Sequence, residues 1–406
     1  MIPSLALFYS GLAESKNSIS IAITIILLFS ISSIQWALFG YSLSFSDTSN
    51  SGLIGNFDYF ALLGTLKKTN PTAPTIPESL FALYQMMFAG IAPPLYLGGV
   101  AGRIRIIPLL AFTFLWSTFV YDPVDYWVWA NNGWLFRLNV LDYAGGSVTH
   151  ITSGVTALIL AWMLGPRIDY EPYKDYPVHS PMFGWNGFNG GSSVAANARG
   201  VNAAFATNLS ASAAGCVWMA LEMFVNKKKL SAVAFCTGAV VGLATITPGS
   251  GFVQPAMGIL FGIIGAVSSF YAIKFVKWLR VDDTLDAFAT HGVGGSVGML
   301  LAGIFAQYEV SAMQTNAGVV LSAGWIDGVW IQVPIQLFAI LAVILWSAGW
   351  TILIVSVLNK FEVTKLRCSS EAELHGLDTY EVGEDDMPYL RMHTDKRGDE
   401  EGLLKV

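Results

Sequence analysis

The stretch "DYAGGSVTHITSGVTALILAW" (residues 142–162) decides how this chain is read. Most of it is an apolar run suited to a membrane, yet it opens on Asp142 and carries His150 further in. A charged residue at the centre of a membrane helix costs roughly 2.5–3.5 kcal/mol on insertion scales, so such groups usually face a cavity or a partner.

Composition sets the environment. The 406 residues are 54% hydrophobic and 12% charged, with a mean hydropathy of +0.55. A soluble domain carries about 25% charged residues, so this is an integral membrane protein. Forty glycines suit close helix–helix packing. Cys216, Cys236 and Cys368 show neither metal spacing nor a disulfide framework. The N-terminus lacks a basic region and a cleavage site, so no cleavable signal is expected. The net charge of −6 comes mostly from the tail, which holds 12 acidic and 7 basic residues from Asn359 onward.

A span needs about 20 mostly apolar residues. Such runs lie near 18–45, 80–101, 106–129, 143–164, 201–225, 231–248, 254–276, 286–306 and 333–358. Residues 1–12 and 181–197 are shorter candidates. Counting both predicts an all-α polytopic protein of about eleven helices, with a transmembrane unit at 1–358 and an acidic cytoplasmic tail at 359–406. The positive-inside rule supports that count. With the Lys16 loop placed inside, 18 of the 22 basic residues fall on the inner side, and only Lys67, Lys68, Arg137 and Arg199 fall outside. The N-terminus is then outside and the tail inside. Were 181–197 not to cross, Lys227, Lys228 and Lys229 would land outside.

A faint echo joins the two halves. Asp142 precedes Gly145, Gly146 and His150; Asp286 precedes His291, Gly292, Gly294 and Gly295. Inverted repeats in transporters leave this kind of trace, with the site at the repeat interface. Of five histidines, only His150 and His291 fall in apolar spans. Each alone could be a hydrogen-bonded interface residue. Two in matching places point to function. Rings meeting edge to edge would share a proton, one nitrogen donating and one accepting, and burial disfavours their charged form. No further ligands stand nearby, so a metal is not expected. Nothing calls for a cofactor or nucleic acid.

Asp142 and Asp286 each stand where a loop becomes a helix, which suits an N-cap. A carboxylate there can also tune a cation site without touching the cation. The aromatic run "DYWVWANNGW" (125–134) reads as an interfacial belt or as a cation box with Trp129 offering its π face. "FGWNGFNGGSS" (183–193) reads as a cavity lining, with Asn186, Asn189, Ser192 and Ser193 as polar groups and Phe188 as a plug.

The chain resembles the ammonium transporter family, which includes the methylammonium permeases and the Rhesus glycoproteins. The resemblance is carried by MIPSLALFYSGL, LDYAGGSVTHITSG, GFNGGSS, ITPGSGFV, RVDDTLDAFATHGVGGSVG and GLDTYEVGE, in family order over nearly the whole chain. It is closer to the permease branch. It implies two inverted five-helix repeats plus a last helix, and a homotrimer in the plasma membrane with one pore per subunit. It implies an outer ammonium recruitment site at Trp129 and Ser192 supported by Asp142, a gate at Phe88 and Phe188, and a pore proton relay at His150 and His291. Asp286 matches the second repeat's acidic position, and Gly145 and Gly146 are expected to let the paired helices approach. The substrate implied is ammonium or ammonia, with methylammonium as an analogue.

Compared with the family, the first span lacks its outer half. The sixth lacks about a dozen residues between Met182 and Gly184, and Gly102 stands where many relatives have glutamate. The tail motif GLD (376–378) implies a regulatory segment for a cytoplasmic regulator or kinase, with Ser369, Ser370 and Thr379 as hydroxyls open to phosphorylation. Other readings are an ammonium sensor signalling through the tail, a shortened form impaired in transport, and a neutral gas channel. An enzyme is not expected, because a hydrolase built on Asp and His lacks a nucleophile or metal set.

Overall fold

The computed structural model describes residues 2–171, 185–227, 229–313 and 321–384, apart from the side chains of Lys67 and Asn186. Among these residues the regular structure is helical, apart from a small antiparallel pair, β1 (Thr69–Asn70) and β2 (Ala73–Pro77), in one connecting loop, and a single bridge between Ile104 and Arg367.

Among the described residues, eight helices are long and apolar enough to cross a membrane. They are α2 (Ser15–Phe45), α3 (Glu78–Leu97), α4 (Ile106–Arg137), α5 (Gly146–Leu164), α7 (Ala198–Phe224), α9 (Met257–Trp278), α10 (Phe288–Phe305) and α11 (Gln332–Leu358). Two shorter apolar helices, α1 (Ile2–Leu12) and α8 (Ala232–Ile246), join them. The segment expected at 181–197 contributes α6, Trp185–Gly191. At ~1.5 Å per residue, seven residues rise about 10 Å, a third of the ~30 Å hydrocarbon core. This part carries Phe188 and lies beside Ser192; the shortened join at 182–184 lies outside the described residues.

Burial sorts the helices. α3 and α5 are the most enclosed, at 72% and 78% of their apolar windows, whereas α7 and α11 reach 33% and 39%. The central pair carries Phe88 and His150; the outer helices turn Val201, Phe205, Leu341 and Leu345 outward. Small residues set the close approaches. A Cβ on Gly154 of α5 would collide with the backbone of Gly292 in α10, and one on Gly295 would sit 2.7 Å from the Gly146 oxygen and 2.9 Å from His150 Cβ. The expectation for Gly145 and Gly146 is thus corrected in part. A Cβ on Gly146 would meet the Pro248 ring at 2.6 Å, and the α5–α10 crossing is opened by Gly154, Gly292 and Gly295.

At one end of the bundle several buried charges meet. Fully buried Arg103 donates to the carbonyls of Gly165 (3.0 Å) and Gly99 (3.1 Å) and to Thr284 (2.6 Å), and pairs with Asp282. Arg167 also grips Asp282, at 2.8 and 3.1 Å. Gly102, just before Arg103, holds φ +80°, a left-handed geometry that disfavours glutamate here.

The tail returns to this same end. Its short helix α12 (Ser370–His375) is capped by Ser369. Asp378 accepts from the N–H groups of Ile19 (3.1 Å) and Ser20 (2.7 Å), which open α2. Glu381 accepts from Ile106 N–H at the start of α4 (2.9 Å), and Glu373 from Ile168 N–H (2.7 Å). Arg367 donates to the Leu164 and Pro166 carbonyls where α5 ends. Acids at helix starts and a guanidinium at a helix end each complement the local dipole.

Candidate functional site

The site is a file of rings running inward from Trp129. Trp129 ends the regular part of α4 and is half-buried. Its Nε1–H donates to the Asp142 carbonyl at 2.8 Å, which fixes the indole. Phe88 of α3 meets it edge-on, with ring centroids 5.4 Å apart and planes at 82°. Phe188 of α6 lies 4.3 Å from Phe88. Behind Phe188, at 6.5 Å, comes His150 of α5, and His291 of α10 follows at 5.1 Å with its ring within 9° of parallel. Phe88, Phe188, His150 and His291 are 2%, 6%, 0% and 2% exposed, so the file is closed to water.

Both histidines sit in π-helical turns, Gly146–Ile151 and Phe288–Val293. Such turns inside helices often mark functional positions. Among the described residues, both His150 nitrogens and His291 Nδ1 are buried without a hydrogen-bond partner. The rings face each other without the direct hydrogen bond that an edge-to-edge pair would make. Polar atoms left open in a dry site are costly, and here they are available to a small passing donor or acceptor.

Asp142 caps its turn in full. Its Oδ1 accepts from Gly145 and Gly146 N–H at 2.8 and 2.6 Å, and its Oδ2 from Ser147 N–H at 2.7 Å and from the Ser147 hydroxyl. It therefore supports Trp129 and the His150 turn without presenting a free oxygen.

The second repeat corrects one expectation. The cap of the His291 turn is Asp283, not Asp286: Asp283 accepts from Ala287 N–H (3.0 Å) and Phe288 N–H (2.7 Å). A single offset of 141 residues carries Asp142 onto Asp283, Gly145 onto Asp286 and His150 onto His291. Gly145 and Asp286 are both left-handed, at φ +99° and +53°. Asp286 thus fills the turn position, a conformation that aspartate tolerates better than most residues. Burial pushes the Asp283 carboxyl up to about 7, with Asp286 adding to the rise and the two backbone bonds and Arg103 opposing it. Asp283→Ala is expected to lower the thermal stability of the purified protein by about 1–2 kcal/mol through loss of the cap. Asp286→Gly should leave it unchanged or raise it, because glycine relieves the positive φ. Melting curves of both variants test the assignment.

Ser192 stands one turn after Phe188. Its hydroxyl donates to the Phe188 carbonyl at 2.9 Å, and the Tyr84 hydroxyl donates to the same carbonyl at 2.7 Å. With their protons committed, both oxygens keep lone pairs for a cation's N–H groups. Tyr84 is absent from the sequence reading, although it stands one turn before Phe88 on α3, with rings 5.2 Å apart. Trp185 is also absent. It lies flat against His150, at 5.5 Å and 15°, and its indole N–H reaches Thr247 at 3.4 Å. Asn189, expected as a cavity lining, is instead buried between helices and donates to Thr207 at 2.9 Å.

A closed file of aromatic rings ending in two neutral-capable imidazoles, inside a polytopic bundle, defines a membrane transport protein for a very small polar solute. Residues 1–387 match the model of the Ammonium Transporter Family. The chain is 42% identical to Ammonium transporter 1 of Schizosaccharomyces pombe over 393 residues, covering 95% of this chain and 78% of that one. It is 36% identical to Ammonium transporter MEP2 of Saccharomyces cerevisiae over 398 residues, covering 95% and 80%. The crystal structure of Saccharomyces cerevisiae Mep2 matches with a TM-score of 0.85 over 91% of this chain and 84% of that one. The chain belongs to the ammonium transporter family, and it transports ammonium across a membrane rather than catalysing a reaction.

Proposed function

We propose that ammonium is recruited between the Trp129 face and the Ser192 and Tyr84 oxygens, gives up a proton at the Phe88–Phe188 gate, and crosses as ammonia past His150 and His291. The carrying observation is the unbroken ring file from Trp129 to His291. A bare cation cannot enter such a file cheaply, because its hydration is not replaced. At the outer end a π face and two oxygens replace part of it. Beyond the gate only apolar faces and imidazole nitrogens remain, which suits neutral ammonia. The proton passes along the histidine pair. Potassium has no proton to give and stops at the gate. Uptake of labelled methylammonium by cells lacking their own transporters tests this reading, with Phe88→Ala and Phe188→Ala expected to weaken discrimination against potassium.

The same reading places the chain in the plasma membrane, as a homotrimer, with its N-terminus outside and its tail in the cytoplasm. The gathering of Lys16, Arg103, Arg105 and Arg167 at the tail's end of the bundle supports that orientation. The tail acts as a regulatory element, since Asp378 and Glu381 cap the two helices that open at this face. Asp378→Ala removes two hydrogen bonds at the α2 N-terminus and is expected to cost about 1–2 kcal/mol locally. Faster limited proteolysis of the tail, with reduced uptake, is the expected result. Unchanged proteolysis and uptake would detach the tail from pore control.

A further inference from the structure

Helix α4 carries two carboxylates one turn apart, Asp122 and Asp125, both fully buried. The transport route described above uses neither. Among the described residues no basic side chain pairs with them. Gln35 of α2 donates from Nε2 to Asp122 Oδ2 at 2.6 Å. The other polar atoms are left over. Asp122 Oδ1, both Asp125 carboxylate oxygens and Gln35 Oε1 are buried without a partner, as are the hydroxyls of Tyr121 and Ser117. That makes four orphaned acceptors against two orphaned hydroxyls, with the Ser44 hydroxyl of α2 also facing Asp125. π-Helical turns flank the group on both helices: Trp36–Gly40 follows Gln35, and Ser117–Tyr121 precedes Asp122.

Two ionised carboxylates so close and so dry repel each other and lose their hydration together. Among the described residues the cluster lacks positive charge and has fewer hydrogen-bond donors than acceptors, and a proton supplies both. We propose that Asp122 and Asp125 form a buried proton-binding pair behind the outer end of the pore, holding at least one proton between them at neutral pH. Binding forms one O–H bond on a carboxylate oxygen with a proton drawn from the aqueous phase, and release breaks it. The protonated acid then donates to one of the orphaned oxygens.

The pair is placed to act on recruitment. Asp125 stands one turn before Trp129 on the same helix face. The titratable groups that face the pair are Tyr121 on its own helix and Asp142 from the loop before α5; α2 presents Gln35 and Ser44, which are neutral. At an effective dielectric near 20, an ionised carboxylate about 12 Å from a bound cation changes its binding by roughly tenfold. Losing the proton therefore strengthens recruitment at Trp129, and external acid weakens it. This last consequence rests on the transport reading; proton binding by the pair does not.

Infrared spectra of the purified full chain in lipid vesicles test the proposal, comparing wild type with D122N/D125N in water and in heavy water. The wild type should show a protonated-carboxyl band that shifts in heavy water and is lost from the double variant. Identical spectra would overturn the proposal, and the single variants D122N and D125N serve the same comparison if the double variant does not fold. Melting temperatures in sodium, potassium and large organic-cation chlorides should be alike. A sodium- or potassium-dependent rise that the double variant loses would replace the proton by a metal cation and overturn the proposal. In uptake, the wild-type KM for methylammonium should rise about tenfold from neutral to acid external pH, and the double variant should lose that rise. A lost band with no uptake from either protein would sustain the proton pair while removing the transport reading.

Discussion

Replacing His150 by alanine is expected to reduce ammonium uptake by roughly 10²-fold or more and to abolish selectivity over potassium. A positioned proton-transfer group contributes about 10²–10⁴-fold, and His150 is the first imidazole behind the gate, 6.5 Å from Phe188 and 5.1 Å from His291. The variant should still fold. Among the described residues His150 makes no hydrogen bond through either nitrogen, so its removal orphans none of them. It does open a space between Trp185 and His291, large enough for water. A hydrated opening in place of a dry imidazole gives ions a path and gives the proton none along the original file. His150→Ala and His150→Ala/His291→Ala should be impaired about equally, because groups acting as one unit are not additive. Surface expression, methylammonium uptake and potassium flux in cells without their own transporters check this. Full retention of ammonium selectivity by His150→Ala would defeat the relay.

The histidine pair was legible because polarity in an apolar run is rare enough to stand out, and His150 and His291 share one local pattern. The fold class was legible for the same reason: long apolar runs separated by one-sided basic loops admit few alternatives. The short helix at Trp185–Gly191 was placed in order, and the half that bears Phe188 is the half described. Tyr84 and Trp185 were hidden because aromatics make up 13% of the chain and composition cannot tell a pore ring from an interfacial one. Asp286 was chosen over Asp283 because both precede the helix. Only the backbone separates them: the cap needs a carboxylate aimed back at the first N–H groups, and the turn needs a residue at positive φ. Asp122 and Asp125 are not marked by the sequence, because the run that includes Asp125 reads equally as an interfacial belt or a cation box. Their complete burial belongs to the packing of α2 against α4, which no local pattern records.

Asp142 is where the fold and the site depend on the same atoms, and its replacement carries the second large effect. Asp142→Ala leaves the N–H groups of Gly145, Gly146 and Ser147, and the Ser147 hydroxyl, without their acceptor in a buried site. An unsatisfied buried polar group costs about 1–3 kcal/mol, so losing this set is expected to destabilise the α5 start by several kcal/mol. The damage should spread in two directions. The His150 turn begins four residues later, and Trp129 hangs from the Asp142 carbonyl. The alanine variant should therefore lose surface expression and uptake together. Asp142→Asn separates structure from charge. One amide oxygen can keep the bonds now made by Oδ1, so this variant should fold with a modestly lower melting temperature. If the buried negative charge supports recruitment, its KM for methylammonium should rise by about tenfold or more, as for the loss of an ionised group near a bound cation. A wild-type KM in a well-folded Asp142→Asn protein would reduce Asp142 to a cap alone and shift the electrostatic support of the outer site onto the Trp129 face and the Ser192 and Tyr84 oxygens.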